Sequence, residues 1–278
     1  MIRPTHYRAV FASLAPARRR LVLLGAAVLA LVVAVTTAVI AGRAGADRSA
    51  GRQVSQQVAG PVLVLPGYGG SITGISVLAH RLRTAGKDVT VVNLPDNAQG
   101  DLAGQAQVLA AAAKAAIGRT GAPSVDVVGY SAGGVVARLW AKQYGGARLA
   151  RRIVTLGSPQ HGTALASLGS LLAGECPPAC QQLIPTSPIL SRLNTRPEVP
   201  AGPVFVSLWT SKDEVVLPPQ SAELAGAVNI EIQSVCPTST VDHSQLPTDP
   251  LVGRMVAAEL GSGAAVPLGA GDCARLSS

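Results

Sequence analysis

Ser124-Val125-Asp126-Val127-Val128-Gly129-Tyr130-Ser131-Ala132-Gly133-Gly134 is the stretch from which the architecture follows. The β-branched run Ser124 to Val128 predicts a strand, and the apolar spacing from Gly134 to Tyr144 predicts a helix directly after it. A serine on such a strand-to-helix turn adopts strained dihedrals and projects its hydroxyl above the sheet. The strand and helix backbones approach closely there, so the flanking positions must be small, and glycine stands at both 129 and 133. A hydroxyl presented in this way is the usual carrier of nucleophilic acyl transfer.

On either side the same rhythm continues. Strands are expected at Val62 to Leu65, Val89 to Leu94, Val125 to Val128, Ile153 to Leu156, Val204 to Trp209 and Val228 to Ile232. Helical spacing occupies Ile75 to Ala85, Leu102 to Arg119 and Val135 to Gln143. Short, nearly continuous apolar strands separated by helices predict a three-layer αβα sandwich around about six mostly parallel strands. Residues 160–200 break the rhythm with Gly, Pro, Cys and scattered apolar patches, and read as a long irregular insertion that walls or covers a site at the sheet's C-terminal edge.

The chain of 278 residues carries a net charge of +8, which suggests nucleic acid until the charge is located. Residues 1–52 hold eight arginines against the single Asp47, leaving 15 basic and 14 acidic residues for the remainder. The body is therefore near neutral, and a phosphate-binding surface is not expected. Behind a basic N-terminus, 1–20, lies an uncharged run of twenty-two residues from Leu21 to Gly42, long enough to span a bilayer as a helix. Five arginines precede that run, so the positive-inside rule sends the body out of the cytoplasm. The expectation is a single-pass anchor at 21–42, a linker at 43–60 and a folded body at 61–278; the alternative is a secretory signal cleaved near Ala46.

Cys176, Cys180, Cys236 and Cys273 all follow the apolar run. An even number in an oxidising compartment suits two disulfides, and of the three connectivities Cys176–Cys180 and Cys236–Cys273 are favoured. Zinc is the rival reading, but one Cys-x3-Cys pair without a second is weak evidence for it, and no metal or organic cofactor is expected.

A serine hydroxyl needs a base, most often histidine, and there are four. His6 precedes the apolar run, His80 sits in the helix after the first strand, and His161 comes before any acidic partner in the order Ser, acid, His. His243, in the loop after the last strand, fits. Asp213, after the strand Val204 to Trp209, is the favoured acid, with Glu214 and Asp242 as weaker choices. The backbone N–H of Ala132 and one from Pro66-Gly67-Tyr68-Gly69-Gly70, placed at Tyr68, are the expected oxyanion donors.

Taken in order, Pro66 to Gly70, Gly129 to Gly134, Thr155-Leu156-Gly157-Ser158-Pro159-Gln160-His161-Gly162, Asp213 in Ser-Lys-Asp-Glu-Val-Val, and His243 resemble the small bacterial lipases of the α/β-hydrolase superfamily. The resemblance covers roughly residues 61 to 260, with one departure at Pro66, where such enzymes often carry histidine. It implies a minimal α/β-hydrolase fold, a triad of Ser131, Asp213 and His243, and a lipid or small ester as substrate. The same constellation also serves acyltransferases and thioesterases, and a non-catalytic hydrolase-like envelope module is the alternative of a different class.

Overall fold

The computed structural model describes residues 54–167, 176–265 and 267–278, and from the N-terminal part Ala17, Arg20, Leu24, Gly25 and 27–37. The chain divides into two compact units, Met1–Gly51 and Arg52–Ser278. In the first, residues 27–37 are helical, and the Thr36 hydroxyl donates to the carbonyl of Val32 at 2.9 Å. Most of the expected basic N-terminus and linker, and residues 21–23, 26 and 38–42 of the apolar segment, lie outside the described residues. Among the described residues, no helix is long and apolar enough to cross a membrane.

The second unit is built on one sheet of β1 (Val62–Leu65), β2 (Val89–Val91), β3 (Val125–Tyr130), β4 (Ala150–Leu156), β5 (Val204–Trp209) and β6 (Val228–Glu231). All neighbouring strands are parallel, in the order β2-β1-β3-β4-β5-β6. Between and after them lie α1 (Thr73–Thr84), α2 (Leu102–Thr120), α3 (Ala132–Gln143), α4 (Pro178–Gln182), α5 (Pro188–Leu193), α6 (Ile232–Val235), α7 (Pro250–Glu259) and α8 (Cys273–Ser277).

Strand alternation sorts the core into two halves. Leu63 and Leu65, Val125 and Val127, Ile153 and Phe205 point to the face covered by α2 and α3, with α4 and α5 beside them. Val62 and Val64, Val128, Val154 and Leu156, Val206 and Leu208 point to the face covered by α1, α6, α7 and α8. The central strands β1, β3, β4 and β5 are buried on both sides almost throughout, as a parallel sheet demands, and the body is a three-layer αβα sandwich. Local signals stop and start its helices: Asp101 caps α2 through the N–H of Gly104 and Gly121, at φ 68°, ends it. Asp249 caps α7 through Val252, with Pro250 in its first turn.

Several element ends shift by one to three residues from expectation, and three differences matter most. β2 stops at Val91 because Pro95, which has no N–H to donate, opens a turn in which Asp96, Asn97 and Ala98 take positive φ. β4 starts at Ala150, drawing Arg151 and Arg152 into the sheet. The insertion 160–200 is irregular only in part, since α4 and α5 pack into the core through Ala179, Leu183, Ile189, Leu190 and Leu193. Its residues 168–175 lie outside those described.

Both cysteine pairs are bonded, Cys176 to Cys180 and Cys236 to Cys273. The first closes the Pro-Pro-Ala turn at the start of α4, and the second ties α8 to the end of α6.

Candidate active site

The chain runs from β1 to β2 on one side and from β3 to β4 on the other, so a crevice opens between the C-terminal ends of β1 and β3. Two turns meet there. After β3, Ser131 stands at φ 51° and ψ −125°, a conformation that non-glycine residues rarely adopt. Its N–H bonds the carbonyl of Leu156 on β4 at 2.8 Å, and its carbonyl accepts from Gly134 at 3.0 Å. The glycines are sterically required: a Cβ at 129 would lie 2.5 Å from Cα of Gly134, and one at 133 would lie 2.4 Å from the carbonyl oxygen of Pro66. After β1, Gly67 to Gly70 form a four-residue turn closed by the Gly70 N–H on the Gly67 carbonyl at 3.1 Å. A Cβ on Gly67 would come within 2.9 Å of Cβ of Ser131, so the turn lies against the serine.

His243 is brought to the same point by the loop between α6 and α7. Its Nε2 lies 3.1 Å from Oγ of Ser131, and its Nδ1 lies 2.8 Å from Oδ2 of Asp213. A carboxylate can only accept, so Nδ1 carries the proton and the lone pair of Nε2 faces the hydroxyl. Asp213 is buried and is held from behind: its Oδ1 accepts the N–H groups of Val215 at 2.9 Å and Val216 at 2.7 Å. Gly157, at φ 51°, fits beneath this pair, where a Cβ would sit 3.1 Å from Oδ2 of Asp213 and 3.2 Å from Nδ1 of His243.

Neither rival acid reaches the imidazole: Glu214 meets only the backbone N–H of His243, at 3.5 Å. Asp242 spends its Oδ1 on Ser244 at 2.8 Å and on the Gln245 N–H at 2.9 Å, bracing its own turn, and Glu214 is exposed. His161 is 3.2 Å from the carbonyl of Ser221 and 3.5 Å from Glu198, away from Ser131. His80 is an exposed residue of α1. His6 lies outside the described residues.

Ser131 opens into a cleft of about 250 Å³ whose walls are mainly Pro159, Leu165, Ala166, Leu183, Val215 and Val216, with Tyr68 at its edge. Tyr68 follows Gly67 in the turn, and Ala132 is the first residue of α3, whose leading N–H groups have no carbonyl within the helix to bond. Thr163 fastens this wall to the loop of Asp213: its hydroxyl donates to the carbonyl of Val215 at 2.7 Å and accepts from the N–H of Leu217 at 3.0 Å. Among the described residues no group of three or more His, Cys, Asp or Glu is placed to hold a metal ion.

Two contributions to the site carried no sequence signal. Arg138, buried on α3, donates to the carbonyls of Glu198, Gln160 and Leu193 and to Oδ1 of Asn194, so the helix behind Ser131 also anchors the insertion. Burial lowers its guanidinium to about 10. Tyr130, beside the serine, donates its hydroxyl to the carbonyl of His243 at 3.1 Å. An alternating strand reveals which positions are buried; it does not reveal which distant carbonyl a phenol will reach.

A family model for the alpha/beta hydrolase fold matches residues 60–172. Comparison with curated proteins finds no match. Among solved structures, lipase B of Aspergillus fumigatus is similar at 22% identity and a TM-score of 0.66, over 75% of this chain and 54% of its own. The mature form of the Bacillus licheniformis lipase BlEst2 is similar at 19% identity and a TM-score of 0.57, over 70% of this chain and 89% of its own. The lin2722 gene product of Listeria innocua follows at 18% and 0.51, over 72% and 92%. This chain spans about half the length of the Aspergillus protein. At such identities the likeness is one of fold, and together with the family match and the strand order it gives the body the α/β-hydrolase fold.

Proposed function

We propose that this chain is a serine ester hydrolase of the lipase and esterase type, similar to the small bacterial lipases, acting on carboxylic esters with acylglycerols or other apolar acyl esters as the substrate class. The observation that carries the reading is the relay of two hydrogen bonds in series, Asp213 to His243 at 2.8 Å and His243 to Ser131 at 3.1 Å, at the mouth of an apolar cleft.

The chemistry follows from that geometry. His243 takes the proton of Ser131 as Oγ attacks the ester carbonyl carbon, and the imidazolium so formed is stabilised by Asp213. The N–H groups of Tyr68 and Ala132 hold the tetrahedral oxyanion. His243 then protonates the departing alcohol, leaving an acyl-serine. Water repeats the cycle: it gives a proton to His243, attacks the acyl carbon, and releases the acid as Ser131 recovers its proton. The apolar walls of the cleft favour the acyl chain, each methylene they cover contributing about 0.8 kcal/mol. No cofactor enters these steps.

We place the body outside the cytoplasm, anchored through 21–42. Support comes from the arginine asymmetry around the apolar run and from two disulfides, which persist in oxidising compartments. The intact mass of the native protein distinguishes the anchored chain from one cleaved near Ala46. The enzymatic reading is tested by hydrolysis of p-nitrophenyl esters of increasing chain length by wild type and Ser131→Ala. Turnover by wild type that S131A abolishes is expected, rising as the chain fills the cleft; equal turnover by the two would remove the reading.

A further inference from the structure

Tyr130 stands between Gly129 and Ser131, partly buried against the half of the core that holds Val128, Val241 and Leu246. It ends β3, in register with Leu156 of β4, so its backbone is as fixed as the sheet. From there the side chain touches the two other parts of the site. Its hydroxyl donates to the backbone carbonyl of His243 at 3.1 Å, and its ring centroid lies 5.2 Å from that of the imidazole at an interplanar angle of 37°. On the other side, a Cβ on Gly67 would meet Cδ1 of Tyr130 at 3.3 Å, so the ring backs the turn after β1.

The need for such a contact lies in how His243 is carried. It belongs to the stretch 236–249 between α6 and α7, which has no regular secondary structure. The other main-chain bonds at this residue are long: its N–H to Oε2 of Glu214 at 3.5 Å, and its carbonyl from the N–H of Leu246 at 3.3 Å. Nearby, the Thr210 hydroxyl holds the carbonyl of Val241 at 2.6 Å, which fixes the loop two residues earlier but not the histidine itself. Base and nucleophile are 112 residues apart in the chain, yet Nε2 must be kept within hydrogen-bond reach of Oγ.

We propose that Tyr130 is a positioning residue that sets His243 against Ser131, by tying the loop of the base to the strand that carries the nucleophile. The inference rests on the reading of Ser131 and His243 as nucleophile and base. Because Tyr130 and Ser131 are consecutive, any shift of the nucleophile's strand moves the anchor of the base with it, and the two reacting atoms share one frame. Burial, reinforced by the carboxylates of Asp213, Glu214 and Asp242, drives the phenol above its ordinary range, so it stays protonated and remains a donor throughout the pH range in which ester hydrolysis would be measured.

The test is a double-mutant cycle with Tyr130→Phe and His243→Ala on p-nitrophenyl butyrate. Y130F alone should lower kcat by roughly three- to tenfold, the value of one neutral hydrogen bond, with KM within twofold of wild type. In the H243A background, Y130F should change the residual rate by less than twofold, because there is no longer a base to position. Unchanged kcat in Y130F, or the same loss with and without His243, would overturn the proposal. Should Y130F not fold, Tyr130→Met, an unbranched side chain that fills the space without a hydroxyl, is carried through the same cycle. Full activity in S131A would instead remove the underlying reading, so the two failures are told apart.

Discussion

The two ends of the central strands each hold a buried network of charged and polar groups, and they put it to opposite uses. At the C-terminal ends, Asp213, His243 and Ser131 lie in series and finish in an open cleft. Toward the N-terminal ends, Asp126 on β3 receives Arg151 of β4 in a two-pronged pair, Nε to Oδ1 at 2.8 Å and Nη2 to Oδ2 at 2.5 Å, with both side chains fully buried. Arg151 spends its remaining donors on the carbonyls of Gly261, Gln56 and Leu260, and Arg152 bonds those of Glu259 and Gly263. One network ends on a strained residue beside an open cleft; the other spends most of its donors on backbone carbonyls and binds the chain's C-terminal segment to the sheet. On the proposed function, polar burial of the same chemical kind serves reaction where it meets a void and fastening where it does not.

The sharpest way to break that contrast is to remove one group from each network and ask which property fails. His243→Ala is expected to lower ester turnover by about four orders of magnitude, as loss of the base in a serine hydrolase does, with a melting temperature close to wild type. Arg151→Met leaves the Asp126 carboxylate buried without its partner, and should cost about 3–5 kcal/mol of stability. The molecules that remain folded should turn over ester within twofold of wild type. Denaturant titration and kinetics on both variants check the pair, and a large loss of kcat in folded R151M would merge the two networks into one.

A smaller effect probes the charge balance of the fastening. Glu259 is buried beside Arg152 with Oε2 unpartnered among the described residues, and burial raises its carboxyl to about 7 although Arg152 opposes the shift. A folded-state pKa above the unfolded one means that the native state binds more protons, so this group favours the fold below pH 4.5 and that contribution is lost as pH rises through about 7. Glu259→Gln should therefore stabilise the protein by roughly 1–2 kcal/mol at pH 8, with solvent screening allowed for, and by little at pH 4. Thermal melts across that range read the difference. A destabilisation at pH 8 that fades toward pH 4 would mean instead that the carboxylate is needed in charged form.

The contrast also explains what the sequence discloses. Period-two and period-3.6 patterns locate elements, and each of the six strands begins or ends where its expected run does. Ser131, Asp213 and His243 are legible because each follows a strand and because their chain order leaves few candidates; the structure brings these three together. The fastening is hidden for the same reason. Arg151 and Arg152 stand at the start of β4, where a charged pair reads as loop, and only the fold reveals that carbonyls 260, 261 and 263 surround them. Tyr130 and Arg138 are hidden likewise, since their partners lie 113 and as many as 60 residues away. Helix α7 did carry a signal, Asp249 followed by Pro250, that marks an N-terminus on local chemistry alone.

The central claim, that the strained serine between β3 and α3 is a nucleophile driven by the buried relay behind it, is tested most directly by reaction with an active-site fluorophosphonate followed by peptide mass mapping. The account predicts stoichiometric labelling of Ser131, none in Ser131→Ala, and labelling slowed by orders of magnitude in His243→Ala. Labelling of S131A at the wild-type rate, or a modified residue other than Ser131 in the wild type, would contradict it.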